Sequence, residues 1–483
     1  MIRRRFQFST QRGARGVRIG YTMAMSSGGH GGGGLPGMGL VESFLHSSHE
    51  GGGLHIEAKP FILVMIAGLV MFLIIAPSQT LRNFNLLFFL SPLWVPTMLG
   101  YFAWRRFYQS RRAEFLKNQH SVLLELKLPR DTMKTPLAME TVLANLNFSA
   151  GETTWYKKYW KGGTRPWFAV EFVSLGGQVR FYLWVWERFR RPVESFFYAQ
   201  YPGMEIIEAE DYSRLLDPSD QTEYEMFGAE YLLTKPDPFP IKTYVEFGLD
   251  KPGLKPEEQV DPIAQLIELL GSISPNEQFW FQITFRQSRS EKYGKGRTWK
   301  DEGREIVEQI RKDTVSKRTT VNPNTGEVNE VEGFPNPTGG QKATIEAIER
   351  NVGKPGFDVG IRSIYSAKIG HLQPSMITFL INLLKPFSSE GWNGFKLSSL
   401  FSAKFNDYPW EDRHGHHKQH EHEKIVNFYR RRSYFHDPYV GPWMVLSAEE
   451  LATIFHVPTA SVETPSLPRI QSATAGAPSN LPT

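Results

Sequence analysis

The chain has 483 residues, 41% of them apolar, so it is long enough to bury one or two hydrophobic cores. Its net charge of +5 is too small to identify a nucleic-acid-binding protein by itself. It contains no cysteine, which excludes disulfide bonds, cysteine-ligated zinc sites and thiol catalysis and fits a reducing cytoplasm.

Residues 1–53 form a basic, glycine-rich N-terminal segment that we predict to be disordered. Six arginines precede the first acidic residue, Glu42, and residues 28–34 are almost all glycine. An arginine-rich start without acids resembles a mitochondrial transit peptide. The alternatives are a start assigned upstream of Met23 or Met25, a flexible basic arm, and a lipid-contacting tail.

Two uncharged apolar stretches follow at residues 60–77 and 84–104, each long enough to cross a hydrocarbon core of about 30 Å. Only residues 78–83 separate them, so the pattern predicts a transmembrane helical hairpin within residues 54–117. Basic residues crowd residues 105–117, which predicts that both termini and the soluble body are cytoplasmic. Two buried core helices are the alternative, and Pro92 and Pro96 would suit a re-entrant segment.

Residues 118–215 show the element order βαββαβ. The segment 121–128 alternates apolar and polar residues, as a half-buried strand does. Thr135 and Pro136 supply a cap and an N1 proline for a helix, and Gly176–Gly177 joins two alternating strands as a hairpin. A helix at about residues 190–200 and a strand at 204–209 complete a ferredoxin-like, or split βαβ, unit.

A second α+β unit is predicted for residues 216–400. Strands are expected at residues 243–247, 277–286 and 357–366, and helices after Asp261–Pro262 and at residues 301–312, 340–352 and 376–384. Residues 313–339 are expected to form a loop insertion. The predicted fold class is therefore α+β, with an N-terminal transmembrane helical hairpin, two ferredoxin-like units and a disordered C-terminal tail.

Residues 401–458 contain a histidine-rich segment and a C-terminal helix. Ser447 and Glu450 have the spacing of a capping box, and Pro458 ends the helix that they begin. From residue 459 to 483 the chain is mostly serine, threonine, proline and alanine, which predicts a linker or disordered tail.

The chain lacks the P-loop motif, the G-x-S-x-G motif and the H-E-x-x-H motif. We therefore predict no catalytic residue, no cofactor and no metal ion. The strongest contrary signal is the run His414, His416, His417, His420 and His422, in which two histidines at i and i+4 could share a metal on a helix. Because the segment shows no carboxylate ligand at a fixed position, a solvated segment is the preferred interpretation.

Basic residues are interleaved with aromatic residues at two places, residues 155–165 and 429–435, and a basic loop lies at residues 286–300. Such surfaces can stack bases and neutralise phosphates. The alternatives are aromatic packing beneath a cationic rim and contact with anionic lipid headgroups. The candidate nucleic-acid-binding residues are Lys157, Lys158, Lys161, Arg165, Arg430, Arg431 and Arg432.

Four passages carry a resemblance to a known family: residues 167–209, 261–286, 430–459 and the tail TPSLPRIQSATAGAPSNLPT. They resemble the membrane-anchored region that precedes the motor in conjugative type IV secretion coupling ATPases of the VirD/TraG and HerA-like kind, from candidate-phylum bacteria. The resemblance covers roughly residues 60–483. In fused relatives a tail like PSNLP leads into a P-loop ATPase. No nucleotide-binding residue carries over, so either a separate ATPase supplies the motor or the chain is a fragment.

The resemblance implies a non-catalytic scaffold at the bacterial inner membrane that positions a P-loop ATPase for DNA or protein transfer. The partners it implies are that separate ATPase, inner-membrane lipids, DNA and further copies of the chain. The alternative is a membrane-bound protein that grips the transferred nucleic acid directly. The residues expected to dock the motor lie on the C-terminal helix and are Ser447, Glu450, Leu451, Ile454 and Phe455.

Overall fold

One ten-stranded sheet organises the part of the chain that the structure describes. The computed structural model describes residues 89–129, 134–217, 223–251, 260–294, 296–321, 328–401, 416–437, 439–458 and 467–470, together with Met71, Arg82 and Asn85. The strands are β1 (Ser121–Pro129), β2 (Phe168–Leu175), β3 (Gln178–Trp186), β4 (Glu205–Glu208), β5 (Tyr224–Leu233), β6 (Glu277–Gln287), β7 (Val315–Val321), β8 (Val328–Pro335), β9 (Gly356–Lys368), β10 (Phe395–Phe401), β11 (Phe435–His436), β12 (Tyr439–Val440), β13 (Met444–Ser447) and β14 (Arg469–Ile470). The α-helices are α1 (Ser91–Lys117), α2 (Pro136–Asn145), α3 (Arg190–Gln200), α4 (Pro262–Gly271), α5 (Trp299–Asp313), α6 (Gly339–Gly353), α7 (Pro374–Asn382), α8 (His416–Arg430) and α9 (Ala448–Ile454).

The sheet consists of two halves with the same strand order. The first half runs β4-β1-β3-β2 and the second runs β10-β5-β9-β6, with antiparallel neighbours throughout. Each half therefore has the strand order of a split βαβ unit. The halves join where β2 pairs with β6, with Phe172 opposite Phe281. Two units that the sequence separates thus share one continuous sheet.

Local sequence signals explain where several elements begin and turn. Gly176 and Gly177 have φ angles of 58° and 88°, the left-handed conformations that a two-residue hairpin needs. The Asp261 side chain accepts a hydrogen bond from the backbone N–H of Ile263, which caps α4 ahead of its N1 proline. These short-range signals determine where the β2–β3 hairpin turns and where α4 begins.

Both faces of the sheet are covered. One face carries α2, α3, α4, α7 and α9 over a large apolar core, in which the ring of Phe455 lies 5.1 Å from that of Phe172. The other face carries α8 and the segment after it, which pack Tyr429 and Tyr434 against Trp280 and its neighbours. Strand alternation explains this arrangement, because successive residues of each strand point to opposite faces.

The α+β class is confirmed, but the predicted transmembrane hairpin is wrong. Of the second predicted span, residues 91–104 form the start of α1, and the same helix continues through a basic stretch to Lys117. Within the described ranges, no helix combines the length and the apolar character needed to cross a membrane. The predicted inner-membrane location with two spans is wrong on the same finding. The first predicted span, residues 60–77, lies outside the described residues apart from Met71, and residues 1–53 lie outside them entirely.

Three local predictions also need correction. Residues 243–247, expected to be a strand, form turns, while the strand that begins this half is β5. The loop insertion expected at residues 313–339 contains the paired strands β7 and β8. Within the C-terminal tail expected to be disordered, residues 467–470 are described and lie against the sheet, since Leu467 is buried and β14 pairs in parallel with the end of β1.

Glu450 gives the C-terminal helix a pH-dependent anchor. The carboxylate is fully buried and accepts hydrogen bonds from the backbone N–H groups of Ser447 and Ile241, at 2.8 Å and 3.0 Å. Burial raises the pKa of Glu450 from its ordinary value to about 7. A carboxyl group whose pKa is higher in the folded state than in the unfolded state stabilises the folded protein when it is protonated. This contribution is complete at low pH and is lost as the pH rises towards 7.

We expect Glu450→Gln to remove this pH dependence, because the neutral amide mimics the protonated carboxyl group. The free energy of unfolding of the parent should fall relative to the variant between about pH 4.5 and 7, by an amount on the order of 3 kcal/mol. Urea unfolding across this range measures the difference, with the exposed Glu308→Gln as the matched control. A difference between parent and Glu450→Gln that stays constant with pH would contradict the prediction.

Candidate functional site

The face of the sheet beneath α8 is lined by buried charged side chains. Successive side chains of β2 and β6 alternate between the two faces of the sheet. Phe172 and Phe281 therefore lie in the apolar core, and the adjacent Glu171 and Gln282 lie on the opposite face. The buried polar residues of this face include Glu171, Glu230, Gln282, Arg286, Asp358 and Arg362. Burying a charge is costly unless it is paired, so each charged side chain of this face requires a partner. Asp358 has one on the neighbouring strand, in Arg286 at 3.0 Å, whereas Glu171 has its partner in a covering segment.

Arg432 supplies the partner for Glu171. Its guanidinium donates to both carboxylate oxygens of Glu171, at 2.9 Å and 3.1 Å, and to Asp211 at 2.6 Å. Burial opposes ionisation of Asp211, but the charge and hydrogen bonds of Arg432 outweigh it, so the pKa of Asp211 lies below its ordinary value. Tyr212 and Gln282 complete the shell by donating to the same glutamate. The guanidinium of Arg432 is therefore paired with carboxylates in the protein interior.

The three consecutive arginines predicted to contact nucleic acid have different environments. Arg430 donates to the backbone oxygens of Ser213 and Leu216 and is half-buried, while Arg432 is 1% exposed. Arg431 is exposed. Of the three, Arg431 has the exposed side chain and Arg432 has the one that is buried.

Arg165, the fourth predicted arginine, is also buried. It is 1% exposed and forms ion pairs with Glu291 at 2.9 Å and Glu152 at 3.5 Å. Its guanidinium also donates to the backbone oxygen of Gln287 at 2.6 Å. Arg165 thus fixes the segment 152–165 to the end of β6 and does not contact solvent.

The segment that Arg165 fixes carries the exposed aromatic and basic residues. A single π-helical turn, Tyr156–Trp160, packs against α1, and the ring of Trp155 stacks on Trp104 with centroids 6.5 Å apart at 16°. Trp160 meets Phe107 edge to face at 5.3 Å. We call this surface the aromatic–basic patch, and it consists of Trp104, Phe107, Trp155, Tyr156, Lys157, Lys158, Tyr159, Trp160 and Lys161.

The patch exposes large aromatic surface beside uncompensated positive charge. Trp155 is 60% exposed and Trp160 is 44% exposed, values unusual for tryptophan in a folded domain. Lys157 and Lys161 are exposed, and neither forms an ion pair with a residue that the structure describes. The arrangement can stack flat rings and attract anions. It contains no nucleophile–base pair that would support catalysis.

The five residues predicted to dock a motor lie in the protein core. Ser447 and Glu450 do form the predicted capping box. However, the C-terminal helix α9 buries every side chain, and Leu451, Ile454 and Phe455 are at most 1% exposed. A partner cannot contact these residues unless α9 leaves the sheet.

The histidine run begins helix α8, with His414 outside the described residues. His422 is buried, and burial together with nearby Lys418 lowers its pKa to about 4. Across the described ranges, no group of three or more histidine, aspartate or glutamate side chains is placed to hold a metal ion. The run therefore contributes a buried histidine to helix packing.

Sequence reasoning missed the contribution of α1 to the patch. Trp104, Phe107, Tyr108, Arg111 and Arg112 fall within the segment predicted to leave a membrane. Their spacing of three and four residues places them on one face of a helix, a signal present in the sequence. The structure shows Arg112 over the ring of Tyr108 at 4.3 Å and Arg111 over Phe107 at 5.4 Å. This face binds the π-helical turn.

A model of a protein family described as a domain of unknown function, DUF8128, matches residues 108–380. This match begins in α1 and includes the π-helical turn and the strands β1 to β9. No curated protein and no solved structure matches the chain. The description assigns no activity, and it gives no support to the predicted association with type IV secretion and conjugation, which is corrected accordingly.

We expect Arg432→Met to destabilise the protein by about 3–5 kcal/mol, because it leaves the buried Glu171 carboxylate without its cation. The adjacent Arg431→Met is the matched control and should change the free energy of unfolding by less than about 0.5 kcal/mol, since this side chain is exposed. Urea unfolding measures both. Adding Glu171→Gln to Arg432→Met should recover part of the loss, and equal effects of the two arginine substitutions would contradict the assignment.

Proposed function

The chain belongs to DUF8128, a family defined without a function, and from its geometry we propose that it is a non-catalytic protein that binds single-stranded nucleic acid on the aromatic–basic patch. The observation that carries this proposal is the cluster of exposed rings around Trp155, bordered by lysines without acidic partners. Sequence-tolerant binding of single strands uses this combination, because every base has a π-face and every nucleotide carries a phosphate.

Rigidity supports the proposal. The rings rest on α1 through Trp104 and Phe107, and the segment that carries them is fixed to the sheet by the buried Arg165. A preorganised aromatic surface loses little conformational entropy when a base stacks on it. The lysines lie on the same turn, so a phosphate next to the stacked base is within their reach.

Duplex recognition fits the geometry less well. Reading the major groove requires a helix or ribbon that projects into a groove about 12 Å wide. The patch instead presents exposed aromatic rings on a short helical turn. The bases of a duplex are already stacked on one another, whereas the bases of a single strand are free to stack on Trp155 or Trp160.

We expect Trp155→Ala to weaken binding of a fluorescein-labelled oligothymidylate about 5- to 150-fold, because stacking on an aromatic ring contributes about 1–3 kcal/mol per base. Lys157→Ala/Lys161→Ala should reduce the slope of log K against log salt by about 0.7 for each phosphate that the lysines neutralise in the parent. Fluorescence anisotropy measures both quantities.

Phe334→Ala is the matched control for the tryptophan, since Phe334 is 93% exposed on β8, away from the patch. Lys312→Ala is the matched control for the lysines, because Lys312 is 73% exposed on α5. Both controls should leave binding unchanged. Equal losses in the controls and the patch variants, or no binding by the parent, would exclude the proposal.

A scaffold for a separate P-loop ATPase is the second candidate, and one feature favours it. The connection between β6 and β9 contains α5, β7, β8 and α6, whereas its counterpart in the first half is the Gly176–Gly177 turn. This insertion packs α5 on α6 through Val307, Ile345 and Ile348 and exposes charged outer faces. An added element of this kind suits a protein partner.

Affinity purification of the full chain tests the scaffold proposal. If the insertion docks the ATPase, a P-loop ATPase should co-purify with the parent. It should be lost when residues 315–335 are replaced by a short glycine–serine linker, which leaves the α5–α6 packing in place. Absence of any P-loop ATPase, or its retention by the variant, would contradict this role.

A further inference from the structure

A cleft of about 650 Å³ lies between the C-terminal half of α1, the adjoining edge of the sheet, and residues 431–437. We call it the tryptophan cleft, because Trp167, Trp184 and Trp186 form its walls. Its volume lies in the range of about 300–1,000 Å³ typical of small-molecule sites. It is distinct from the aromatic–basic patch, since Ala113 and Leu116 line it from a different face of α1.

The walls are flat and rigid. The rings of Trp167 and Trp184 are stacked with centroids 5.7 Å apart at 27°, and Trp186 meets Trp167 edge to face at 5.1 Å. All three tryptophans are at most 8% exposed, so packing holds them in place. Walls of this kind favour a planar ring over a flexible chain.

Two hydrogen-bond donors of the lining residues have no acceptor. The buried indole N–H of Trp167 has no partner anywhere in the described part of the chain. The Nε2 atom of His436 lies 3.1 Å from Nη1 of Arg286, which can only donate, so Nε2 accepts and the ring proton lies on Nδ1. No described residue accepts a hydrogen bond from that Nδ1–H. Burial and the surrounding cations hold the pKa of His436 well below its ordinary value, so the ring is neutral.

The rim supplies positive charge. Lys117 and Arg431 line the cleft and are exposed, and neither forms an ion pair within the described ranges. Asp437 is the acidic residue of the lining, so the two cations outnumber it. An anionic group attached to a ring inside the cleft would lie close to these cations.

From these features we infer that the tryptophan cleft binds a single nucleotide, with its base against the tryptophans and its phosphate at Lys117 and Arg431. Base carbonyl and ring-nitrogen atoms can accept hydrogen bonds from the buried N–H of Trp167 and from the Nδ1–H of His436. The nucleotide is either a free mononucleotide or one base of a bound strand. The assignment does not depend on the function proposed for the patch.

Isothermal titration of the full chain with AMP, GMP, CMP and UMP tests the inference. At least one mononucleotide should bind with a stoichiometry of one. Ribose 5-phosphate, which lacks the base, should not bind, and the matching nucleoside, which lacks the phosphate, should bind at least about tenfold more weakly. No binding of any mononucleotide at millimolar concentration, or equal binding of ribose 5-phosphate, would overturn the inference.

Surface substitutions locate the binding without disturbing the core. Ala113→Phe narrows the cleft from an exposed position of α1, and Lys117→Ala/Arg431→Ala removes the rim cations. Each should reduce mononucleotide affinity about tenfold or more. The matched control, Lys312→Ala/Arg304→Ala, removes exposed cations of α5 and should leave the affinity unchanged. Unchanged affinity in both cleft variants would overturn the inference.

Two further titrations separate the cleft from the patch and identify the source of the nucleotide. Trp155→Ala should bind the mononucleotide as the parent does, and loss of binding would assign it to the patch and overturn the inference. In the Trp155→Ala protein, displacement of the mononucleotide by a short oligothymidylate would show that the cleft takes a base of a strand. Failure of the oligothymidylate to displace it would show that the cleft takes the free nucleotide.

Discussion

Charged side chains buried on one face of the sheet determine which segments must pack against it. Glu171 and Asp358 lie at positions where neighbouring strands leave no access to water, so each must be met by a cation. Arg432 meets the first, while Arg286 at 3.0 Å and Arg165 at 3.8 Å meet the second. Two segments distant in sequence are therefore bound to the same face by ion pairs that water does not screen.

Both candidate binding surfaces follow from those ion pairs. The segment 152–165 presents Trp155 and Trp160 on α1 because Arg165 anchors its end, and residues 431–437 form one wall of the tryptophan cleft because Arg432 anchors their start. A buried ion pair contributes little net stability relative to apolar packing, but breaking one is costly. Such pairs define position more than they add stability, and a binding surface requires defined position.

Short-range rules made much of the fold predictable from sequence. Alternation revealed β1, β2, β3 and β6, and turn and cap residues placed the helices between them. The sequence could not show that β2 pairs with β6, since that contact joins residues more than a hundred positions apart. Nor could the sequence show that Arg432 is buried while Arg431 is exposed, because that depends on which of them lies opposite the Glu171 carboxylate in the folded protein.

The apolar start of α1 led to the wrong prediction of a membrane span. An uncharged stretch of this length suits a membrane span, but here it continues into a helix with a basic, aromatic face. The clearest unused signal was Glu171, a charge inside an otherwise apolar strand, which requires a buried partner.

Photocrosslinking determines whether single-stranded nucleic acid contacts the protein at the aromatic–basic patch. A 5-bromouracil oligonucleotide would be irradiated with the full chain, and the crosslinked peptides would be identified by mass spectrometry. We expect crosslinks at Trp155, Tyr156 or Trp160, the exposed rings of the π-helical turn and its flank. Crosslinks confined to the insertion α5–α6, or no crosslinks at the patch, would contradict it.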